Sequence, residues 1–219
     1  MSAVSTPSDS DLAPVWAVVV AAGSGQRFGG AKQYAPLAGR RVVDFSIDAA
    51  RSVADGVVLV VSPEAADDVE PAVDAVVVGG ATRSESVRAG LAAVPAEARV
   101  VLVHDAARPV AGHGVFRSVV DAVLAGADAA VPVVPVVDSV CDPHGLPVDR
   151  DQLRSVQTPQ GFAAEVLRRV HAVRPEATDD ASLVVAAGGR LRLVQGERWN
   201  LKITTPDDLQ VAESILEHR

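Results

Sequence analysis

The sequence predicts an α/β fold: a doubly wound, mostly parallel sheet with a protruding β-hairpin arm. Three observations carry this. Apolar, β-branched runs without polar alternation recur along the chain, the pattern of strands buried on both faces. Segments with apolar residues at helical spacing lie between them, and that alternation puts helices on both sides of a parallel sheet. From residue 131 to residue 160 the rhythm stops, and two strand-like stretches flank a turn with no helical period.

The first apolar run begins at Val15 and ends in the glycine loop Gly23-Ser-Gly25. Residues 41–53 carry Val43, Ile47 and Ala50 at helical spacing, and residues 57–61 form a second buried strand stopped by Ser62-Pro63, which completes a β-α-β unit. Residues 75–78 give a third strand running into Gly79-Gly80. Thr82-Arg-Ser-Glu85 then reads as a capping box opening a helix with Val87, Leu91 and Val94 on one face. Residues 100–104 are a fourth strand, ending at Asp105-Ala-Ala-Arg108-Pro109.

In the irregular segment, residues 133–140 and 148–158 are the two sides of the expected arm, joined by the turn Asp142-Pro-His-Gly145. A lone two-stranded hairpin is marginal in water and leaves strand edges unpaired, so the arm is expected to pair with its copy in a homodimer. The fold resumes with a helix over 163–173, a second from Thr178 to Gly188, a strand over 191–194 and a last helix opened by Thr205-Pro-Asp-Asp. In that opening the threonine is the expected N-cap and the acidic residues face the helix dipole.

At 219 residues the chain suits one α/β domain over residues 14–219, able to bury a core without staples. Aromatic residues make up only 3%, so Val, Ala and Leu must build that core. The single cysteine, Cys141, excludes an intrachain disulfide and a multi-cysteine zinc site, which suits the cytoplasm. Residues 1–13 are polar and lack an apolar stretch, so they read as a disordered tail rather than a signal peptide. No apolar run spans a bilayer, and a net charge of -8 argues against a nucleic-acid partner; neither a membrane nor a nucleic acid is expected. Any anionic ligand must therefore be met by local cations. Of the 20 basic residues only Lys32 and Lys202 are lysines, which marks both as expected phosphate contacts.

The glycine loop is the strongest chemical signal. It follows a buried strand at the sheet's carboxyl edge, where α/β folds bind ligands, and backbone amides at Gly23 and Gly25 with Arg27 and Lys32 point to a polyphosphate. A Walker A loop needs Lys-Ser/Thr directly after its last glycine, but Ala31, Lys32 and Gln33 follow Gly30. A dinucleotide fingerprint needs a small residue where Phe28 stands. Ala-Ala-Gly-x-Gly-x-Arg followed by Lys-Gln instead resembles the nucleotidyltransferases that move a nucleoside monophosphate from a triphosphate onto a phosphorylated sugar or alcohol.

The wider set is more specific. Ala21-Ala-Gly-Ser-Gly-Gln-Arg27, Lys32-Gln-Tyr, Val103-His-Asp-Ala-Ala-Arg-Pro109, Val148-Asp-Arg150, Thr158-Pro-Gln160, Thr178-Asp-Asp-Ala-Ser182 and Asn200-Leu-Lys-Ile-Thr-Thr-Pro-Asp-Asp-Leu209 together resemble the 2-C-methyl-D-erythritol 4-phosphate cytidylyltransferase family over nearly the whole chain. The resemblance implies CMP transfer from CTP to methylerythritol phosphate, with Mg²⁺ across the phosphates and Asp105 as a candidate metal contact. Arg27, Lys32, Arg150 and Lys202 would be the catalytic residues. The nucleotide would meet Ala21, Ala22, Gly23, Lys32, Gly80, Ser86 and Asp105. The acceptor would meet Asp105, Arg108, Ser139, Arg150, Thr178 and Lys202, with Ser139 and Arg150 reaching a neighbouring subunit's site from the arm.

His104 is expected to be a structural strand-end residue, and Arg83 and Arg88 to be solvated helix charges. The sequence departs from the family's pattern at Ala31, where proline is usual, and at Ala81, where an acidic residue is common. A pentitol- or ribulose-phosphate cytidylyltransferase and a non-catalytic nucleotide-binding module are the alternatives.

Overall fold

The computed structural model describes residues 13–67, 70, 72–173 and 175–218. Apart from Ala13, the expected N-terminal tail lies outside the described residues. Strand β1 (Val15–Val20) is the axis of the main sheet. A small antiparallel pair, β2 (Pro36–Leu37) and β3 (Arg40–Arg41), follows the glycine loop and leads into helix α1 (Val42–Arg51). Strand β4 (Gly56–Val61) lies parallel to β1, and β5 (Ala75–Val78) lies parallel to β4. Helix α2 (Arg83–Ala93) then carries the chain back, and β6 (Val100–Asp105) joins the other edge of β1, also in parallel. The reversal of strand order between β4 and β6 makes β1 and β6 the switch point of the sheet, and a crevice opens there beyond the strand ends.

The second half adds helix α3 (His113–Leu124), strand β7 (Ala129–Pro135), the two-residue strands β8 (Val140–Cys141) and β9 (Pro147–Val148), and strands β10 (Arg154–Val156) and β11 (Gln160–Ala163). Helices α4 (Ala164–Ala172) and α5 (Asp180–Ala186), strand β12 (Leu191–Gln195) and helix α6 (Asp207–Glu217) complete the chain. Strand β11 lies between β6 and β7 and is antiparallel to both, while β12 pairs with β7 in parallel. The main sheet thus runs β5, β4, β1, β6, β11, β7, β12, mostly parallel, with β10 paired to the far half of β7.

The central apolar runs are buried on both faces, whereas β5 and β12 leave Val76, Val78, Leu191 and Leu193 exposed, against the expectation for these two strands. Every residue of β4 and β6 is buried, including Val58, Leu59, Val101 and Leu102. Val43 and Ile47 of α1 and Phe116 and Val119 of α3 cover one face, whereas Val87 of α2, Leu167 of α4 and Val184 of α5 cover the other. Helix α6 closes a third apolar cluster of Leu37, Val42, Val110, Ile203 and Ala212. At about 25 cal/mol per Å² of buried apolar surface, this aliphatic packing supplies the driving force that aromatics supply elsewhere.

Three local readings differ from the sequence analysis. Helix α3 was not placed, although Val115, Phe116, Val119, Val120 and Val123 form one buried face; it starts at Gly112 with no side-chain cap, so the usual start signal is absent. The arm over 133–158 is an interrupted hairpin rather than a continuous one: β10 pairs antiparallel with the end of β7 at its base, as part of the main sheet, and β8 pairs antiparallel with β9 farther along. The last helix is not capped by Thr205: the Asp208 carboxylate accepts the backbone N–H groups of Thr204 at 2.7 Å and Thr205 at 2.8 Å, together with the Thr205 hydroxyl. The capping box of α2 matches, with Thr82 accepting the Glu85 N–H at 3.1 Å.

Candidate active site

A cleft of about 1030 Å³ occupies the crevice beyond β1 and β6. Its floor is the glycine loop. Gly25 takes φ 62°, and its carbonyl accepts the amides of Phe28 at 2.8 Å and Gly29 at 3.0 Å. A Cβ at this position would lie 1.8 Å from the Gly30 oxygen, so the turn needs glycine. Gly23 is different: a Cβ there would meet nothing within 4 Å, and the missing side chain leaves open space at the cleft wall. The buried Gln33 amide donates to the Ala21 carbonyl at 2.6 Å and to the Gly23 carbonyl at 3.2 Å, which fixes where the loop leaves β1. Nothing in the sequence assigns this glutamine a role beyond its place after Lys32.

Cations and one carboxylate converge above that floor. Lys32 donates to the Ile203 carbonyl at 2.5 Å, and Lys202 donates to Asp105 Oδ2 at 2.6 Å. The two lysines come from opposite ends of the chain, and the segment after β12 brings them to one cleft. Burial lowers the Lys32 pKa, and the positive charges of Lys202 and Arg27 lower it further. Burial pushes the Asp105 carboxyl upward, but Lys202, Arg83 and Arg108 outweigh it and hold the group well below the usual carboxylate range. Arg27 lines the cleft, is exposed, and makes no hydrogen bond or ion pair with the described residues.

The loop after β5 forms the opposite wall. Glu85 accepts the Ala81 N–H at 2.7 Å and the Thr82 N–H at 3.3 Å, and it packs so close that a Cβ at Gly80 would lie 2.2 Å from Glu85 Cβ. Ser86 lines the cleft while its hydroxyl donates to the Thr82 carbonyl at 2.9 Å, an ordinary first-turn helix bond that leaves its lone pairs for a ligand. Ala21, Ala22, Gly23, Arg27, Lys32, Gly80, Ser86, Asp105 and Lys202 therefore all line one cleft.

With this geometry in hand, comparison with known proteins is decisive. Residues 15–218 match the family model described as 2-C-methyl-D-erythritol 4-phosphate cytidylyltransferase. The enzyme of that name from Saccharopolyspora erythraea is 46% identical over 92% of this chain and 99% of its own length, and that from Nocardia farcinica is 42% identical over 97% of each. The crystal structure of the 2-C-methyl-D-erythritol 4-phosphate cytidylyltransferase from Thermus thermophilus superposes with a TM-score of 0.81 at 37% identity, covering 92% of this chain and 98% of that one. The chain belongs to the 2-C-methyl-D-erythritol 4-phosphate cytidylyltransferase family. It is a nucleotidyltransferase of isoprenoid precursor synthesis.

Not every residue expected from this cytidylyltransferase family reaches the cleft. Arg108 turns into the protein, donating to the Asn200 carbonyl at 2.7 Å, and burial lowers its pKa. Ser139 and Arg150 are exposed on the arm, where the Arg150 guanidinium bonds the Val137 carbonyl. Thr178 is exposed in the segment before α5. None of these four lines the cleft as one chain forms it.

Two expectations about helix charges need correction. Arg83 is largely buried, lines the cleft, donates to Asp180 at 2.5 Å and lies 3.7 Å from Asp105 Oδ1. Arg88 donates to the Pro175 carbonyl and to Glu176, each at 2.8 Å. Neither is merely solvated, because helical spacing reveals a face and not the partner some 90 residues away. His104 fits its structural reading: it is fully buried against Phe116, shares a 3.1 Å hydrogen bond with Thr158, and burial lowers its pKa to about 4.

Among the described residues no group of three His, Cys, Asp or Glu is placed to hold a metal ion. The donor set fits Mg²⁺ nonetheless, because that ion is commonly held by one or two carboxylates, substrate phosphates and water, and Asp105 offers the carboxylate in the cleft. No helix among the described residues is long and apolar enough to cross a membrane.

Proposed function

We propose that the cleft transfers CMP from CTP to 2-C-methyl-D-erythritol 4-phosphate, giving 4-diphosphocytidyl-2-C-methyl-D-erythritol and pyrophosphate. The observation that carries this reading is the convergence of Arg27, Lys32 and Lys202 around Asp105 beyond the glycine loop. Burial is the main cause of the lowered Lys32 pKa, and repulsion from Lys202 and Arg27 adds to it; that repulsion is relieved when a polyphosphate enters.

The acceptor phosphate is already ionised at neutral pH, so one of its oxygens attacks the α-phosphorus of CTP without a general base. The bond from that phosphorus to the bridging oxygen breaks, and pyrophosphate leaves. His104 is buried and does not line the cleft, in keeping with a reaction that needs no imidazole. Catalysis is then positioning and charge neutralisation. Arg27 and Lys32 stabilise the charge gathering on the α-phosphoryl and pyrophosphate oxygens. Gly80 and Ser86 meet the cytosine with the help of Ala21 and Ala22, while Gly23 leaves the phosphates room. Lys202 exchanges its bond with Asp105 for the acceptor phosphate, and Asp105 is left to face the sugar and a cation. Mg²⁺, held by Asp105 and the triphosphate, would supply charge neutralisation across the phosphates.

The working form is a homodimer, and it acts in the cytoplasm. The arm of one subunit supplies Ser139 and Arg150 to the acceptor side of its neighbour's cleft, joining Arg108 and Thr178. Exposed apolar side chains on this segment support that assembly: Val137 and Leu146 are each 64% accessible, and Val148 and Val156 are also exposed.

The test is pyrophosphate release by purified protein with Mg²⁺, CTP and methylerythritol phosphate, with ribitol phosphate, ribulose phosphate and ATP as parallel controls. Release restricted to the first pair is expected. Release only with a pentose-derived acceptor would move the substrate, and CTP binding without turnover would leave a nucleotide-binding module.

A further inference from the structure

A chain of charged groups runs from the cleft into the protein. Lys202 holds Asp105 Oδ2 at 2.6 Å, and the Arg83 Nε lies 3.7 Å from Asp105 Oδ1. The other end of the same guanidinium donates to Asp180 Oδ2 at 2.5 Å, and Asp180 Oδ1 is 2.9 Å from the buried His171 Nε2. Arg83 is the first residue of α2, directly after the loop that carries Gly80, whereas Asp180 is the first residue of α5, directly after Thr178-Asp179. The guanidinium thus joins the nucleotide wall to the expected acceptor segment. Two further ties follow the same path: the Ser84 hydroxyl donates to the Ala177 carbonyl at 3.1 Å and accepts the Ala177 N–H at 3.0 Å, and Arg88 donates to the Pro175 carbonyl.

We propose that Arg83 is a positioning residue that fastens the acceptor side of the cleft, Asp105 and the segment around Thr178, to the nucleotide-binding start of α2. This rests on the reading of the cleft as a cytidylyltransferase site and goes beyond it. When Lys202 leaves Asp105 for the acceptor phosphate, Arg83 remains as the cation beside that carboxylate. Its planar fork faces two carboxylates at once, anchored by the Asp180–His171 pair, and a single ammonium group at this position cannot span both.

The experiment compares wild-type protein with Arg83→Lys and Arg83→Gln in full steady-state kinetics, with CTP affinity measured separately by calorimetry. Wild-type turnover comes first, and its absence would overturn the activity reading and this inference together. With wild type active, both variants should lose about 10–100-fold in kcat/KM for methylerythritol phosphate, the scale of a slightly misplaced reactant, while the CTP Kd stays within about twofold. Arg83→Lys should fail to restore the acceptor step despite keeping the charge. Wild-type acceptor kinetics in the variants, or CTP affinity falling as far as the acceptor step does, would overturn the proposal. If Arg83→Gln does not fold, Ser84→Ala breaks only the tie to Ala177; the same one-sided loss at about 3–10-fold supports the proposal, and an unchanged acceptor KM overturns it.

Discussion

The cleft and the arm use their charges in opposite ways. In the cleft, Lys32, Lys202, Asp105 and Arg83 are each held by a partner from a distant part of the chain, and the sheet fixes all of them at its switch point. On the arm, Arg150 is exposed, and among the described residues its guanidinium bonds only the nearby Val137 carbonyl, beside apolar side chains left open to solvent. A single chain therefore gathers the residues expected to meet the nucleotide in one cleft and leaves the expected acceptor arginine outside it. Most of the cleft's charge is tied to distant parts of the chain, with Arg27 the exposed exception, whereas the arm's arginine has only a local tie; that contrast is what the proposed arm exchange between subunits would explain.

Removing a cleft cation should have the largest effect. Lys32→Ala is expected to lower kcat by about 10²–10³-fold, the usual cost of losing one donor aimed at developing charge, with a smaller change in CTP affinity. Stopped-flow or steady-state pyrophosphate release would measure it; an unchanged kcat would remove Lys32 from the chemistry. On the arm, Arg150→Ala should raise the acceptor KM while leaving the CTP Kd alone, and a loss confined to CTP binding would contradict the division of labour.

A further expected effect is on stability rather than turnover and concerns the wall behind the cleft. Burial keeps His104 neutral down to about pH 4, whereas in the unfolded chain it takes up a proton near pH 6.5. Between those values the unfolded state binds more protons, so stability is full above about pH 6.5 and falls on acidification, by about 3 kcal/mol by pH 4. Thermal melting against pH would show this slope for the wild type and a flatter one for His104→Gln. Equal slopes would mean that another group governs the acid limb.

The sequence made the sheet legible because its central strands are short apolar runs buried on both faces, a signal that needs no knowledge of partners. The same holds for the glycine loop: Gly25 sits where only glycine fits. Helix α3 was missed because Gly112 offers no capping side chain, although Phe116 and Val119 are spaced for one face. Arg83 was misread for a different reason. Its partner Asp180 lies on another helix, and no local pattern in residues 82–93 points to it. The two apolar, turn-flanked stretches made the hairpin legible but not the break between the β7–β10 pairs and the β8–β9 pairs, because no residue pattern marks where the ladder stops. Residue types thus identified the cleft, and tertiary pairing decided which charges stand within it.

The most direct test of the division between cleft and arm is complementation by mixed subunits. Lys32→Ala and Arg150→Ala proteins, each nearly inactive alone at low acceptor concentration, would be unfolded together, refolded in equal amounts and assayed for pyrophosphate release. If each arm serves the neighbouring cleft, a mixed dimer carries one intact site, and random pairing should restore about a quarter of wild-type activity. If both residues act within one chain, every site in the mixture carries a defect, and activity no higher than that of the separate variants would contradict the account.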